Sequence, residues 1–211
     1  MRRQLLALSV LAVTAVQGVE DVEPPIGFSL QVGDAKIRLE PGKAKTLKGK
    51  FEDPSVKLVP DDFRIFSYGG VHFKYPSGFG FEADMTTPDV KLWTLDGNDS
   101  VIMLQYYVGV ELSAKEMADQ LIGFYGAAAK GEPKKIGHRY NGKEYSGFRV
   151  TAEIAGAVIF QDVLAIPTKD GSRILVIQDL PAAEKVSEKE AKLVSKFLNE
   201  TLTVGEAPEE K

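Results

Sequence analysis

The sequence predicts an α+β fold: an antiparallel β-sheet flanked by two main helices and preceded by a small N-terminal β-meander. Three observations carry this expectation. Apolar residues alternate with polar ones in short runs bounded by Pro, Gly, Asn and Asp, as where Val71, Phe73 and Tyr75 interleave with His72 and Lys74. Helical spacing occurs in two stretches, each opened by a serine with a glutamate three residues on, Ser113 with Glu116 and Ser187 with Glu190. Most strand-like runs follow one another through short turns, which suits antiparallel neighbours and not parallel crossovers.

The elements follow in order. Residues 19–60 read as an acidic leader ending in Pro24-Pro25, a stiff spacer, and then a meander in which Phe28, Leu30 and Val32, then Ile37 and Leu39, then Val56 to Val59 form three strands. Pro41-Gly42 turns the chain before Leu47, and Asp53-Pro54 precedes the third strand. So small a ribbon buries too little apolar surface to stand alone, so it should pack on the main domain or on a partner. The main domain spans 61–204. Its strands are expected at 71–75, from Phe79 and Phe81 onward, at 91–95 and at 101–108, with Asp96 to Asp99 as a turn. Met117, Leu121, Phe124 and Ala128 define the buried side of the first helix. Strands 144–154 and 157–166 follow, turning at Ala155-Gly156, and then a strand from Arg173 to Leu180 that Pro181 ends. In the first of these Phe148, Val150, Ala152 and Ile154 face the core, and Arg149, Thr151 and Glu153 face water. In the last helix Val186 is placed to staple against Ala191, and Val194, Phe197 and Leu198 form the apolar side. Residues 205–211 are expected to be a disordered acidic tail.

Composition narrows the function classes. The 211 residues are 44% apolar and 27% charged, the profile of one globular domain with small additions. The net charge of −4 comes with scattered basic residues, which gives no stripe for a phosphate backbone, and nucleic acid is not an expected partner. Residues 1–18 have the layout of a signal peptide: Arg2 and Arg3, an apolar run from Leu5 to Val16, and small residues at Ala15 and Gly18. The expected location is therefore exported, periplasmic or extracellular, with no stable membrane insertion after leader removal. Cysteine is absent, which excludes thiolate zinc sites and thiol nucleophiles.

Candidate chemistry is sparse, and no catalytic residue, cofactor site or metal site is expected. His72 sits at an outward strand position, and His138 lies in a polar run read as a loop. Asp96, Asn98 and Asp99 lack the later glutamate of a calcium loop and read as a turn. Neither Gly69-Gly70 nor Gly78-Phe79-Gly80 has the surroundings of a phosphate loop. The less ordinary feature is that Gln161-Asp162 and Gln178-Asp179 both interrupt strands otherwise apolar on each face. A turn near Lys169-Asp170 brings the two pairs close on neighbouring strands, where they are either bonded locally or form a pocket floor. Trp93, if exposed, would mark a partner or apolar-ligand surface. The candidate ligand or partner surface is thus Trp93, His138, Gln161, Asp162, Gln178 and Asp179.

Val71-His72-Phe73-Lys74-Tyr75-Pro76-Ser77-Gly78-Phe79, the helix from Ser113, and Gly171 to Ile177 leading into the helix 188–202 together resemble the PsbP-like superfamily over residues 64–204. That superfamily takes in an extrinsic photosystem subunit and a Ran-binding import factor. The resemblance implies an antiparallel sheet with flanking helices used as a noncatalytic binding or assembly module. The expected function is accordingly an exported noncatalytic binding or accessory module of an extracytoplasmic assembly, with an unknown protein partner and the 26–59 ribbon as docking arm. The alternative is a small-ligand or hydrolytic site around Asp162, Asp179 and His138, which requires those side chains to converge. A cell-envelope structural protein that self-associates is a third reading.

Overall fold

The computed structural model describes residues 20–39, 43–46, 55–180 and 187–205. The expected leader 1–18, the Pro41-Gly42 and Asp53-Pro54 turns, Leu47, Pro181, the Val186 staple, the Ser187 side chain and the tail beyond Gly205 lie outside these residues. No helix among them is long and apolar enough to cross a membrane.

The architecture corrects the expected α+β layout. Strands make up 54% of the described residues and helices 17%, so the fold is mostly β, with three antiparallel sheets and two short helices instead of one sheet between two main helices. The elements run β1 Phe28–Val32, β2 Ala35–Leu39, β3 Val56–Pro60, β4 Phe63–Tyr68, β5 Val71–Pro76, β6 Gly80–Thr87, β7 Val90–Asp96, β8 Ser100–Tyr107, α1 Ala114–Tyr125, β9 Lys134–Tyr140, β10 Lys143–Ile154, β11 Ala157–Ile166, β12 Ser172–Asp179, α2 Ser187–Thr201 and β13 Thr203–Val204. Three strands escaped the periodicity reading, β4, β9 and the two-residue β13. β9 carries only Ile136 and Tyr140 as large apolar residues, because it is the polar edge of its sheet, where charged side chains discourage further pairing. β4 mixes Arg64 and Ser67 into an otherwise apolar run and hairpins onto β5.

The seven-stranded sheet has the order β6-β7-β8-β12-β11-β10-β9. Its middle strands β11 and β12 pair Val163 with Val176 and Leu164 with Leu175, and all four side chains are buried. This is why both strands read as apolar on each face. One face is covered by α1, whose Ala114, Met117 and Ala118 pack on Val150, Val163, Ile174 and Val176. The Ser113 capping box is formed, with Glu116 N–H donating to the serine hydroxyl and the Glu116 carboxylate accepting from Ser113 N–H. The buried stripe is rotated from the expected one, however, and leaves Phe124 82% exposed.

The opposite face packs against α2 and against the small sheet β13-β5-β4. Here Phe66, Phe73, Trp93, Leu95, Leu104, Leu164, Leu175 and Leu198 form the main core. Each such side chain contributes about 1.5–3 kcal/mol by leaving water. His72, expected outward, is buried, because Gly205 and β13 close over it: its Nδ1 meets Ser67 Oγ at 2.6 Å and its Nε2 meets Gly205 O at 2.9 Å. In α2, Val194, Phe197 and Leu198 are buried as the spacing predicts.

The expected meander is instead a separate three-stranded sheet of order β2-β1-β3, because β3 passes β2 to pair with the central strand β1. Its ties to the body are polar, through Ser29 Oγ and Arg38 Nε, which donate to the Asp61 carboxylate at 3.1 and 3.2 Å. Phe28, Val56 and Leu58 remain exposed. The leader, expected as a stiff spacer, lies against the main domain: Pro24 is buried, and residues 20–24 are bonded to it.

Candidate functional site

Four neighbouring strands deliver the site. The β10–β11 turn is two residues long, Ala155 at φ 52° and Gly156 at φ 84°, both in the left-handed region that tight hairpins demand. Counting back equally from it sets Arg149 directly opposite Asp162, and the same ladder sets Val150 opposite Gln161. On β9, His138 pairs with Tyr145, two positions along β10 from Gly147. His138 therefore reaches Asp162 diagonally across β10, over the position where Gly147 has no side chain. A Cβ on Gly147 would lie 2.0 Å from the Val163 carbonyl oxygen, so the strands approach at this point as only glycine allows.

Asp162 is the hub. Arg149 donates to it with both Nε, at 2.6 Å to Oδ1, and Nη2, at 2.8 Å to Oδ2. His138 Nε2 lies 2.8 Å from Oδ2. Burial disfavours the Asp162 carboxylate, but the hydrogen bonds from Arg149 and His138 and the positive charge of Arg149 outweigh it, and the group titrates below its ordinary range. The bond to Asp162 raises the Arg149 guanidinium in turn. An ionised carboxylate can only accept, so His138 Nε2 carries a proton in this arrangement and Nδ1 is the atom left for another partner. The ring lies parallel to Tyr140, with centroids 5.4 Å apart. Burial first, and the Asp162 charge second, push the Tyr140 hydroxyl up.

These groups form one wall of a cavity of about 300 Å³ beneath α2. Asp179 enters it from β12, Phe160 and Ile177 supply apolar floor, and Val194, Ser195 and Leu198 of α2 form the roof. Arg149 also lies over the Phe160 ring, 5.3 Å from its centroid. Ser100 borders the same space with a buried hydroxyl that has no hydrogen-bond partner among the described residues. The roof is pinned at one end by Glu190, whose carboxylate accepts from the amides of Asp99 at 2.7 Å and Ser100 at 2.9 Å. The Asp96–Asp99 turn is thus closed by a carboxylate from α2.

Of the six residues expected from sequence, His138, Asp162 and Asp179 converge. Gln178 borders the cavity, and its side-chain carbonyl accepts from Gln161 Nε2 at 2.8 Å. That pair occupies the alternate positions of the two strands, the face of Val163 and Val176 under α1. Trp93 is fully buried elsewhere and does not line the cavity, so it marks no open surface. His138 lies in a strand and not in a loop. Arg149, read as facing water, faces the site: on this face the second layer is α2. Its role was readable from the turn, since the count that pairs Ile154 with Ala157 also pairs Arg149 with Asp162. Ser100 gave no sequence signal, and Glu190, read as the capping-box partner of Ser187, instead sends its carboxylate to the Asp99 and Ser100 amides about 90 residues away.

The arrangement offers a held guanidinium edge, an imidazole Nδ1 and a second carboxylate around a small, partly apolar space. Among the described residues no three His, Asp or Glu side chains are grouped to hold a metal ion. Neither the family models nor the curated proteins compared with this chain match it.

Proposed function

We propose that the chain is a noncatalytic binding protein whose ligand is a small polar molecule of no net charge, held between the seven-stranded sheet and α2. One observation carries the proposal: His138, Arg149, Asp162 and Asp179 come from four different strands and meet at one cavity. Among the described residues that line it, one cation, Arg149, stands beside the carboxylates of Asp162 and Asp179, which disfavours a bare anion. A neutral molecule with an acceptor for Arg149 and a donor for Asp179 matches the polar wall, and Phe160 and Ile177 match an apolar face. Binding is favoured over turnover because the Asp162 carboxylate is engaged by both neighbours, which makes it an anchor for Arg149 and His138. The apolar run from Leu5 to Val16 after Arg2 and Arg3 supports action outside the cytoplasm.

The test is ligand-observed NMR with a library of amino acids, sugars and polyols. Binders are expected to disappear with Arg149→Ala and with Asp179→Asn. A library in which nothing binds, or binders that survive both substitutions, would overturn the assignment.

A further inference from the structure

Residues 20–25 lie against the main domain as a strap, and the domain grips their main chain. Trp93 Nε1 donates to the Glu20 carbonyl at 2.7 Å, the Tyr68 hydroxyl to the Val22 carbonyl at 2.5 Å, and Arg64 Nη1 to the Pro24 carbonyl at 3.2 Å. Capture of the carbonyl at every second residue recognises a peptide as a peptide, whatever its side chains. Selectivity comes from two ion pairs, Lys91 with Glu20 and Arg64 with Glu23, and from the burial of Pro24. Trp93 and Tyr68 stack with centroids 6.0 Å apart and planes 6° apart, so the two neutral donors are held in a rigid aromatic pair.

We propose that Arg64, Tyr68, Lys91 and Trp93 form a peptide-recognition groove that the chain fills in cis with residues 20–25. Its ligand in trans is an acidic segment carrying two carboxylates three residues apart, with proline after the second. The groove is distinct from the cavity under α2, since none of its four residues lines that cavity. Among the described residues no main-chain ladder holds the strap, and its bonds to the domain come from side chains. Glu23 is 49% exposed and Glu20 34%, so water and salt compete for both ion pairs. A competing peptide therefore meets a replaceable occupant and not an integral strand.

The chain has no cysteine, so a single one introduced at the exposed Asp21 carries a bimane dye that neighbouring Trp93 quenches. The acetylated peptide of residues 19–26 is then titrated into the full chain. A tethered segment competes at an effective concentration on the order of millimolar, so saturable dequenching is expected in that range. The same peptide with both glutamates changed to lysine should leave the signal unchanged. With Glu20→Lys and Glu23→Lys also in the chain, half-release should need about tenfold less of the acidic peptide. The labelled chain without these changes is decisive by itself should the double variant fold poorly. No dequenching at saturating acidic peptide, or equal dequenching by the lysine peptide, overturns the groove.

Discussion

Replacing Asp162 by Asn keeps the size of the side chain and removes the charge that Arg149 and His138 share. Three hydrogen bonds of 2.6, 2.8 and 2.8 Å are affected. Bonds to a charged group contribute about 1.5–3 kcal/mol each. Asn retains one acceptor, however, and the Arg149 side chain is 40% exposed, so its guanidinium regains water when released. The expected loss is about 2–3 kcal/mol, below the roughly 3–5 kcal/mol of a fully buried pair broken on one side. For a chain of this size that is a fall in Tm of roughly 4–12 °C. Urea denaturation followed by circular dichroism, repeated from neutral to acid pH, provides the measurement. Because the folded carboxyl titrates below its ordinary value, its contribution is complete above roughly pH 4 and is lost as the pH falls from there through the folded value. The native chain and the Asn variant should therefore converge in acid. A deficit of the same size at both ends of the pH range, or none at neutral pH, would refute the assignment of Asp162 as an ionised hub.

Two further outcomes follow from the geometry. Glu190→Ala should cost about 1–2 kcal/mol and should raise amide hydrogen exchange at Asp99 and Ser100 ahead of global unfolding, since both amides donate to that carboxylate; unchanged protection at those amides would detach the roof from the turn. Gly147→Ala should destabilise by about 3 kcal/mol or more, because the added carbon meets the Val163 carbonyl oxygen. Gly137→Ala, whose nearest neighbour is 4.0 Å away, should change stability by less than about 0.5 kcal/mol, and similar losses in both would show that close approach is not what position 147 requires.

What the sequence made legible follows from which interactions are local. The three N-terminal strands, though not their order, the Ser113 cap and the long hairpin Lys143–Ile166 were readable because alternation, capping and turn chemistry act within a few residues. The convergence of Asp162 and Asp179 was foreseeable for the same reason, since one hairpin relates their strands. The partition into three sheets was not, because β5 finds β13 only at the far end of the folded chain. His72 was misread in consequence: alternation says which side of a strand a residue takes but not whether a later element covers that side. Phe124 shows the converse error, a helical-spacing match that an offset of the buried stripe by a fraction of a turn leaves in solvent. Arg149 was assigned to water by a rule that holds for a sheet with one wet face, whereas this sheet is covered on both.

The bond from His72 to Gly205 joins residues 133 apart, and the Lys74 amide is held by Thr201. The hairpin made of β4 and β5 is therefore sealed last, by residues translated long after it. Until 197–205 have emerged, β5 lacks its β13 partner, and the core it shares with Trp93 and Leu104 lacks Leu198 and Leu202. Closure over so long a span favours slow, all-or-none maturation. A polypeptide stalled before Leu202 should be caught by chaperones, because it lacks Leu202 and β13, which complete the core around Val71 and Phe73.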